Sequence, residues 1–377
     1  MEDRSRINRR DFLRMAGVAG IVLVGSACAP AAVPPTAAPT KAPAAAAPTA
    51  AAPGAATAKP AVMKPEEARA QLYELAKKEG QVMAYSTGTS AEMESYRKVF
   101  TKTYPGVQLN EYMGTGEQIA EKMLTEFRAG KVTADFVLIP LEQWAVVLKA
   151  GVVEKWDPPE RPNFPPDAPD PDGFYINEQA VIHVISYNTQ IISAADAPKS
   201  YADLLKPVFK GKLGIEQAAY SWLAQRSQIW GKDKAAEYAK NLAAQQPKFV
   251  SGHTTLADAV VSGEVPVAVN VYQHRVEQQK AKGAPVAWVT DSPTGCEPNS
   301  TGIPKGAPHP NAGRLFLDWR LSVEGQTVTL KDLSRYPTRL GMTIPPELQV
   351  KVAIPTMETA LGTQAYGPIF KQIFGLV

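Results

Sequence analysis

Three strand–turn–helix units follow one another between Gln81 and Ala150, and this succession constrains the fold more than any other feature of the chain. Gln81–Tyr85 reads as a buried strand, and Ser86-Thr87-Gly88-Thr89-Ser90 as a small polar turn. Thr89 with Glu92 makes a capping-box pattern, in which the hydroxyl and the carboxylate satisfy each other's backbone N–H groups. The next helix carries Met93, Tyr96, Val99 and Phe100 at three- and four-residue spacing, which places them on one face. Val107–Met113 is a second strand, Gly114-Thr115-Gly116 a turn, and Thr115 with Gln118 a second capping box. Ile119, Met123 and Phe127 form the inner face of that helix. Ala134–Pro140 is a third strand, followed by a helix from Leu141 to Ala150. Strands joined in this way pair in parallel through right-handed crossovers. The ligand crevice of such a sheet lies beyond the carboxyl ends of its strands. Ser86, Thr87, Gly88 and Thr115 fall there, directly before helix N-termini whose free N–H groups attract anions. Whether they touch a ligand or only cap helices stays open at this point.

The rest of the chain continues the α/β alternation. Asp157–Gly173 is a Pro- and Asp-rich surface segment, and Ala180–Tyr187 a β-rich run read as the strand leaving the first lobe for the second. Lys212–Gln217 is a strand, Ala218-Ala219-Tyr220-Ser221-Trp222 opens a long helix, and Val265–Val271 is a strand leading into Tyr272-Gln273-His274-Arg275. Pro285–Val289 is read as the return crossing. Pro310–Val323 is an amphipathic helix, Ser334–Arg339 a polar turn, and the last thirty residues two closing helices. The expected division is lobe 1 over 63–179 plus about 290–345, lobe 2 over 180–289, and C-terminal helices over 346–377.

The N-terminal part sets location. Asn8-Arg9-Arg10-Asp11-Phe12-Leu13-Arg14 precedes a short apolar run, Met15–Val24, then Gly25-Ser26-Ala27 and Cys28. That run is too short to span about 30 Å of hydrocarbon, so residues 1–27 read as a signal peptide. The paired arginines resemble a twin-arginine export signal. The cysteine after small residues resembles a lipobox, with Cys28 as the lipidated residue. Gly25 departs from that pattern, which leaves a plain signal cut near Ala27 as the alternative. From Ala29 to Pro60 the chain uses only Ala, Pro, Thr, Val, Gly and Lys. Such a segment cannot bury enough apolar surface to offset its ordering entropy, so 28–62 reads as an extended stalk.

Composition excludes some functions. Of the formal net charge of +3, residues 1–27 supply +2, from five arginines against Glu2, Asp3 and Asp11. The remainder is near neutral and lacks the strongly basic face that nucleic acid requires. If Cys28 is acylated, Cys296 has no internal disulfide partner and reads as a small filler. There is no Gly-x-Ser-x-Gly elbow, no His-Glu-x-x-His helix and no phosphate-cradling Gly-rich Lys-Ser/Thr loop.

Several runs resemble one family. They are Gly80-Gln81-Val82-Met83-Ala84-Tyr85-Ser86, Ala134-Asp135-Phe136-Val137, Val184-Ile185-Ser186-Tyr187-Asn188-Thr189, and above all Gly306-Ala307-Pro308-His309-Pro310-Asn311-Ala312-Gly313-Arg314-Leu315-Phe316-Leu317-Asp318-Trp319 with Ser322-Val323-Glu324-Gly325-Gln326. The chain resembles the substrate-binding proteins of ABC importers, in the ferric-iron and small-anion branch. The resemblance implies a two-lobed periplasmic-binding-protein-like α/β fold, each lobe a mostly parallel sheet flanked by helices. It also implies two adjacent tyrosines after the strand at 265–271. Here Tyr272 matches the second and Val271 replaces the first, and valine cannot ligate. The first turn of some iron binders supplies a histidine, and this turn has none. Tyr220 is the candidate second metal ligand if the solute is ferric iron. Arg339 is the candidate clamp for a carboxylate or phosphonate, through two parallel N–H donors, or else pairs with a surface aspartate. His183 reads as a core residue, His253 as solvated and His274 as a surface residue starting a helix.

The expected function is that of an extracytoplasmic solute-binding protein. It would capture a small anion, an organic acid or Fe³⁺, and deliver it to an ABC permease driven by a separate ATPase. The expectation includes no cofactor and no chemistry, a monomer, and a lipid anchor on the outer face of the cytoplasmic membrane. An exported hydrolase and a sensor for a membrane partner are the alternatives.

Overall fold

The computed structural model describes residues 64–376, and the readings for 1–62 (signal, Cys28 and stalk) lie outside the described residues. The three expected units form β1 (Gln81–Ser86), β2 (Gln108–Met113) and β3 (Phe136–Pro140), with α1 (Pro65–Glu79) before them. Between and after them lie α2 (Ser90–Thr103), α3 (Gly116–Arg128) and α4 (Leu141–Lys149). Both capping boxes close as the spacing implies, with Thr89 and Thr115 accepting from the amides of Glu92 and Gln118. β1 pairs in parallel with β2 and with β3. A short β4 (Val153–Glu154) follows, and then the long β5 (Ile176–Asn188).

β5 belongs to both lobes. Its first half runs antiparallel to β10 (Thr294–Pro304), which continues the lobe 1 sheet beside β3. From His183 onward it pairs with β8 (Val267–Tyr272) and β9 (Val286–Val289) of lobe 2. There β6 (Leu213–Glu216) joins β8 and β7 (Lys248–Val250) in parallel. The return crossing is therefore β10. The run at 285–289, expected to make that crossing, instead forms β9 inside lobe 2. Gly295, Pro298 and Gly302 hide β10 in the sequence, because glycine and proline weaken a strand pattern. At Gly302 a side chain has no room: a Cβ would lie 2.4 Å from the Phe174 carbonyl oxygen and 2.5 Å from Trp144.

Lobe 2 carries α5 (Tyr220–Trp230), α6 (Lys232–Ala244), α7 (His253–Ser262) and α8 (Gln273–Ala281). α9 (Pro310–Leu321) and α10 (Val323–Thr327) return to lobe 1, where Phe316 and Trp319 meet Phe100 at ring distances of 5.0 and 5.2 Å. Two short strands, β11 (Tyr336–Pro337) and β12 (Val352–Ala353), edge β5 and β10. The closing helices are α11 (Met357–Gly362), which buries Ala360 among Leu141 and Trp144 of lobe 1, and α12 (Tyr366–Phe374), which buries Phe370 in the core of lobe 2. Beside the crossing, Arg320 and Glu178 form an ion pair sealed from solvent, with the guanidinium 3.9 Å from the Tyr96 ring centroid. No helix of the described residues is long and apolar enough to cross a membrane.

Candidate functional site

The register at the crossing assembles a site. β5 and β8 place His183 opposite Tyr272, and β5 and β10 place Cys296 opposite Ile182, so Glu297 follows one position on. Tyr272 Oη donates to Glu297 Oε2 at 3.4 Å, and Glu297 Oε1 lies 3.7 Å from His183 Nε2. His183, His253 and His274 gather around the Tyr272 ring at centroid distances of 5.3, 4.3 and 5.5 Å. Three of the four histidines of the chain thus share one site, although each reads alone as a core or surface residue.

His183 is fully buried, and burial pushes its imidazole down to about 4, so it is neutral at pH 7. Its Nδ1 lies 3.1 Å from the Gln225 side-chain amide, which fixes the plane of the ring. Nε2 faces Glu297 and has no hydrogen-bond partner within the protein. Gln225 is held there by a gap in the opposite strand: a Cβ at Gly295 would lie 2.5 Å from Gln225 Cβ. Burial pushes the Glu297 carboxyl up. The imidazoles of His183 and His253, the Ser221 hydroxyl and the Tyr272 phenol outweigh it and hold the group below the usual glutamate value. Burial and the Glu297 charge push the Tyr272 phenol well above its ordinary value. His253 donates or accepts through Nδ1 at the Asn270 carbonyl, 2.7 Å away, and only donation suits a carbonyl.

The helix N-termini around this crossing are already served by carboxylates of the protein. Glu92 accepts from Thr89 N and is itself bound by Arg335 at 2.9 Å. Glu216 accepts from Ala218 N at 2.6 Å and from Gly252 N at 3.2 Å, at the starts of the segments leading into α5 and α7. Ser86 and Gly88 line a small pocket with Glu92, Gln179, Asn299 and Arg335. The Gly88 amide is turned inward onto Ser86 Oγ at 3.2 Å, and the Thr87 amide onto the Leu138 carbonyl at 3.2 Å.

The other expected residues have different surroundings. Thr115 is exposed and caps α3. The Tyr220 ring packs on Gly367 and on Phe370 of α12, at 5.7 Å between ring centroids, so its apolar face is committed to the C-terminal helix. Arg339 donates to Glu160 at 2.9 Å and to the Leu321 carbonyl at 3.1 Å, in a buried-edge network that also holds Arg69 and Asp318. The arginine that faces the crossing is Arg335. Among the described residues no three His, Cys, Asp or Glu side chains come together as a metal-holding group, so a cation at this site would depend on the Tyr272 oxygen as well.

The depressed His183 value has a consequence for stability. A histidine protonated at about 4 in the fold and near 6.5 when unfolded takes up protons preferentially in the unfolded chain between those values. Its contribution to stability is present above pH 6.5 and is lost as the pH falls toward about 4. Glu142, pushed up to about 7 by burial, acts with the opposite sign as the pH rises. Denaturant melts of wild type and His183→Gln at pH 7 and pH 5 separate the two. The wild type is expected to lose more stability between these pH values than the variant, and equal losses would remove His183 from the account.

A model of the bacterial extracellular solute-binding protein family matches residues 95–356. The chain belongs to that family, whose members are exported. Among solved structures it is similar to iron-bound HitA from Pseudomonas aeruginosa, with 22% identity and a TM-score of 0.64, covering 78% of this chain and 99% of that one. The ferric iron-binding protein A of Mannheimia haemolytica in an open conformation gives 17% identity and a TM-score of 0.65 over 78% and 98% of the two chains. AfuA from Actinobacillus pleuropneumoniae, with fructose-6-phosphate bound, gives 23% and 0.58 over 78% and 97%. These likenesses establish the two-lobed fold. An uncharacterized Haemophilus influenzae protein is 32% identical over 142 residues, which is 36% of this chain and 41% of that relative. The match thus spans about two fifths of the curated relative's length.

Proposed function

We propose that this protein captures a small cationic solute at the lobe crossing, with ferric iron the case its donors suit best, and delivers it to an ABC permease. One observation carries the reading: the neutral, buried His183 has an Nε2 without a hydrogen-bond partner 3.7 Å from the ionised Glu297, beside the Tyr272 phenol. Nitrogen, carboxylate and phenol oxygen form a donor set for a Lewis-acidic metal. A bound trivalent cation would draw the proton from Tyr272 despite its raised value, because the metal's charge dominates local electrostatics. Tyr220, bound to α12, is replaced in this reading by His183 and Glu297, and Val271 need not ligate. HitA, whose structure holds iron, supports the same class of solute.

A small anion or organic acid is the second reading. The pocket of Ser86, Gly88 and Arg335, and the sugar phosphate bound to AfuA, favour it. Against it, Glu92 and Glu216 already occupy the amides and the guanidinium that would hold an anion. Thr115 and Arg339 have no part in either reading. Anchoring through lipid at Cys28, twin-arginine export, a monomeric state and a partner ATPase complete the proposal. They rest on the N-terminal sequence and on the role of the family.

The test is a thermal-shift panel of Fe³⁺, divalent metals, phosphonates, carboxylates and sugar phosphates on the purified protein. A ligand in large excess over its Kd raises the melting temperature by mass action, at roughly 2.7 kcal/mol for a hundredfold excess. Fe³⁺ is expected to give the largest shift and a visible tyrosinate–iron absorption that Tyr272→Phe removes. A shift from anions alone, with no colour, would favour the second reading.

A further inference from the structure

We propose that the core of lobe 2 holds a small monovalent inorganic anion of halide size, bound by Arg226 and Tyr201. Arg226 lies in the middle of α5 and is fully buried. None of its Nε, Nη1 and Nη2 atoms meets a protein acceptor, and among the described residues no carboxylate lies within salt-bridge reach. The guanidinium sits 4.7 Å from the Tyr201 ring centroid and 5.2 Å from that of Trp230. Ring contacts engage a cation through π density but leave most of its five N–H donors without a lone pair to bind.

The neighbouring polar atoms repeat the pattern. Trp222 Nε1 and Tyr201 Oη are buried and neither makes a hydrogen bond of good geometry; the indole N–H lies toward the phenol oxygen, the two rings 6.1 Å apart, which leaves the Tyr201 O–H without an acceptor. Burial keeps the Tyr201 phenol protonated, so it supplies a donor rather than the missing negative charge. The one carboxylate engaged with Tyr201, Asp291, accepts from the Tyr201 amide at 3.2 Å. Lobe 2 therefore encloses a full positive charge that none of its own acceptors engages. Buried charges persist in proteins when paired, because leaving water uncompensated is very costly. An acceptor-only, singly charged, compact ion meets each of these demands, and it must be small because the site is sealed. This ion is separate from the solute at the crossing and does not depend on how that solute is assigned.

Bromide is the probe. Crystals of the protein prepared in sodium bromide are expected to show an anomalous peak within hydrogen-bonding range of the Arg226 guanidinium. In solution, the melting temperature in sodium chloride is expected to exceed that in sodium gluconate at equal ionic strength by several degrees, as for any ligand bound only to the folded state. Arg226→Met should abolish that difference, and Tyr201→Phe, which keeps the charge but removes one donor, should reduce it. Ordered water alone beside Arg226 in the bromide crystals would overturn the proposal, whether or not the methionine variant folds. So would a halide-dependent shift that persists undiminished in Arg226→Met.

Discussion

Glu297→Ala is expected to weaken Fe³⁺ capture by a hundredfold or more, about 3 kcal/mol, while leaving the fold intact. Glu297 is the carboxylate in contact with both Tyr272 and His183, and it lies at the crossing where a cation would need charge compensation. Its removal takes away both a ligand and the acceptor that orients the Tyr272 hydroxyl. It leaves no buried cation behind, because His183 is neutral. The variant should therefore melt no lower than wild type without metal, and competition titration against a chelator should show the loss. Unchanged Fe³⁺ affinity in a folded Glu297→Ala protein would sink the assignment of this site. Thr115→Ala and Arg339→Lys, at positions without contact to the cluster, should leave affinity within a factor of about two.

The largest loss of stability is expected from Glu178→Ala. Arg320 and Glu178 are among the most deeply buried charged groups in lobe 1, and Arg320 Nε is 3.1 Å from both Glu178 oxygens. Removing the carboxylate leaves a guanidinium sealed against Tyr96 and Phe136 without its paired counter-charge. Breaking such a pair costs about 3–5 kcal/mol, whereas replacing both partners with apolar groups is often neutral. In a domain of this size that is a fall of roughly ten degrees in melting temperature. The double variant Glu178→Met/Arg320→Met should recover most of it. Calorimetry in which the double variant melts below Glu178→Ala would show that the pair itself, and not the orphaned charge, holds this region.

Local chemistry was legible in the sequence. The capping boxes at Thr89 and Thr115, the three strand–turn–helix units and the amphipathic α9 all follow from spacing between residues close in the chain. The candidate site was legible only at Tyr272, through resemblance. His183, His253 and His274 lie on β5, α7 and α8, and pairing of strands distant in sequence brings them together. No local pattern records that meeting. Glu297 was hidden for a second reason, since it sits in a strand whose Gly295, Pro298 and Gly302 suppress the usual alternation. Gly295 is required because Gln225 fills the space of its side chain, and Gly302 because Trp144 and the Phe174 carbonyl fill that of its own. Arg335 and Arg339 are four residues apart in one turn, and only the fold tells which faces the crossing and which binds Glu160.

β5 runs unbroken from one lobe into the other, and His183 is where its partner changes from β10 to β8. In the proposed function that point would be the fulcrum of a lever. In a swing about it, displacement would grow with distance, so the tips of the lobes would travel far while Tyr272, His183 and Glu297 would barely shift. The donors then stand assembled before the arms come together. The strength of the first grip would then be set at the pivot, and the sweep of the arms would govern how long the cargo stays.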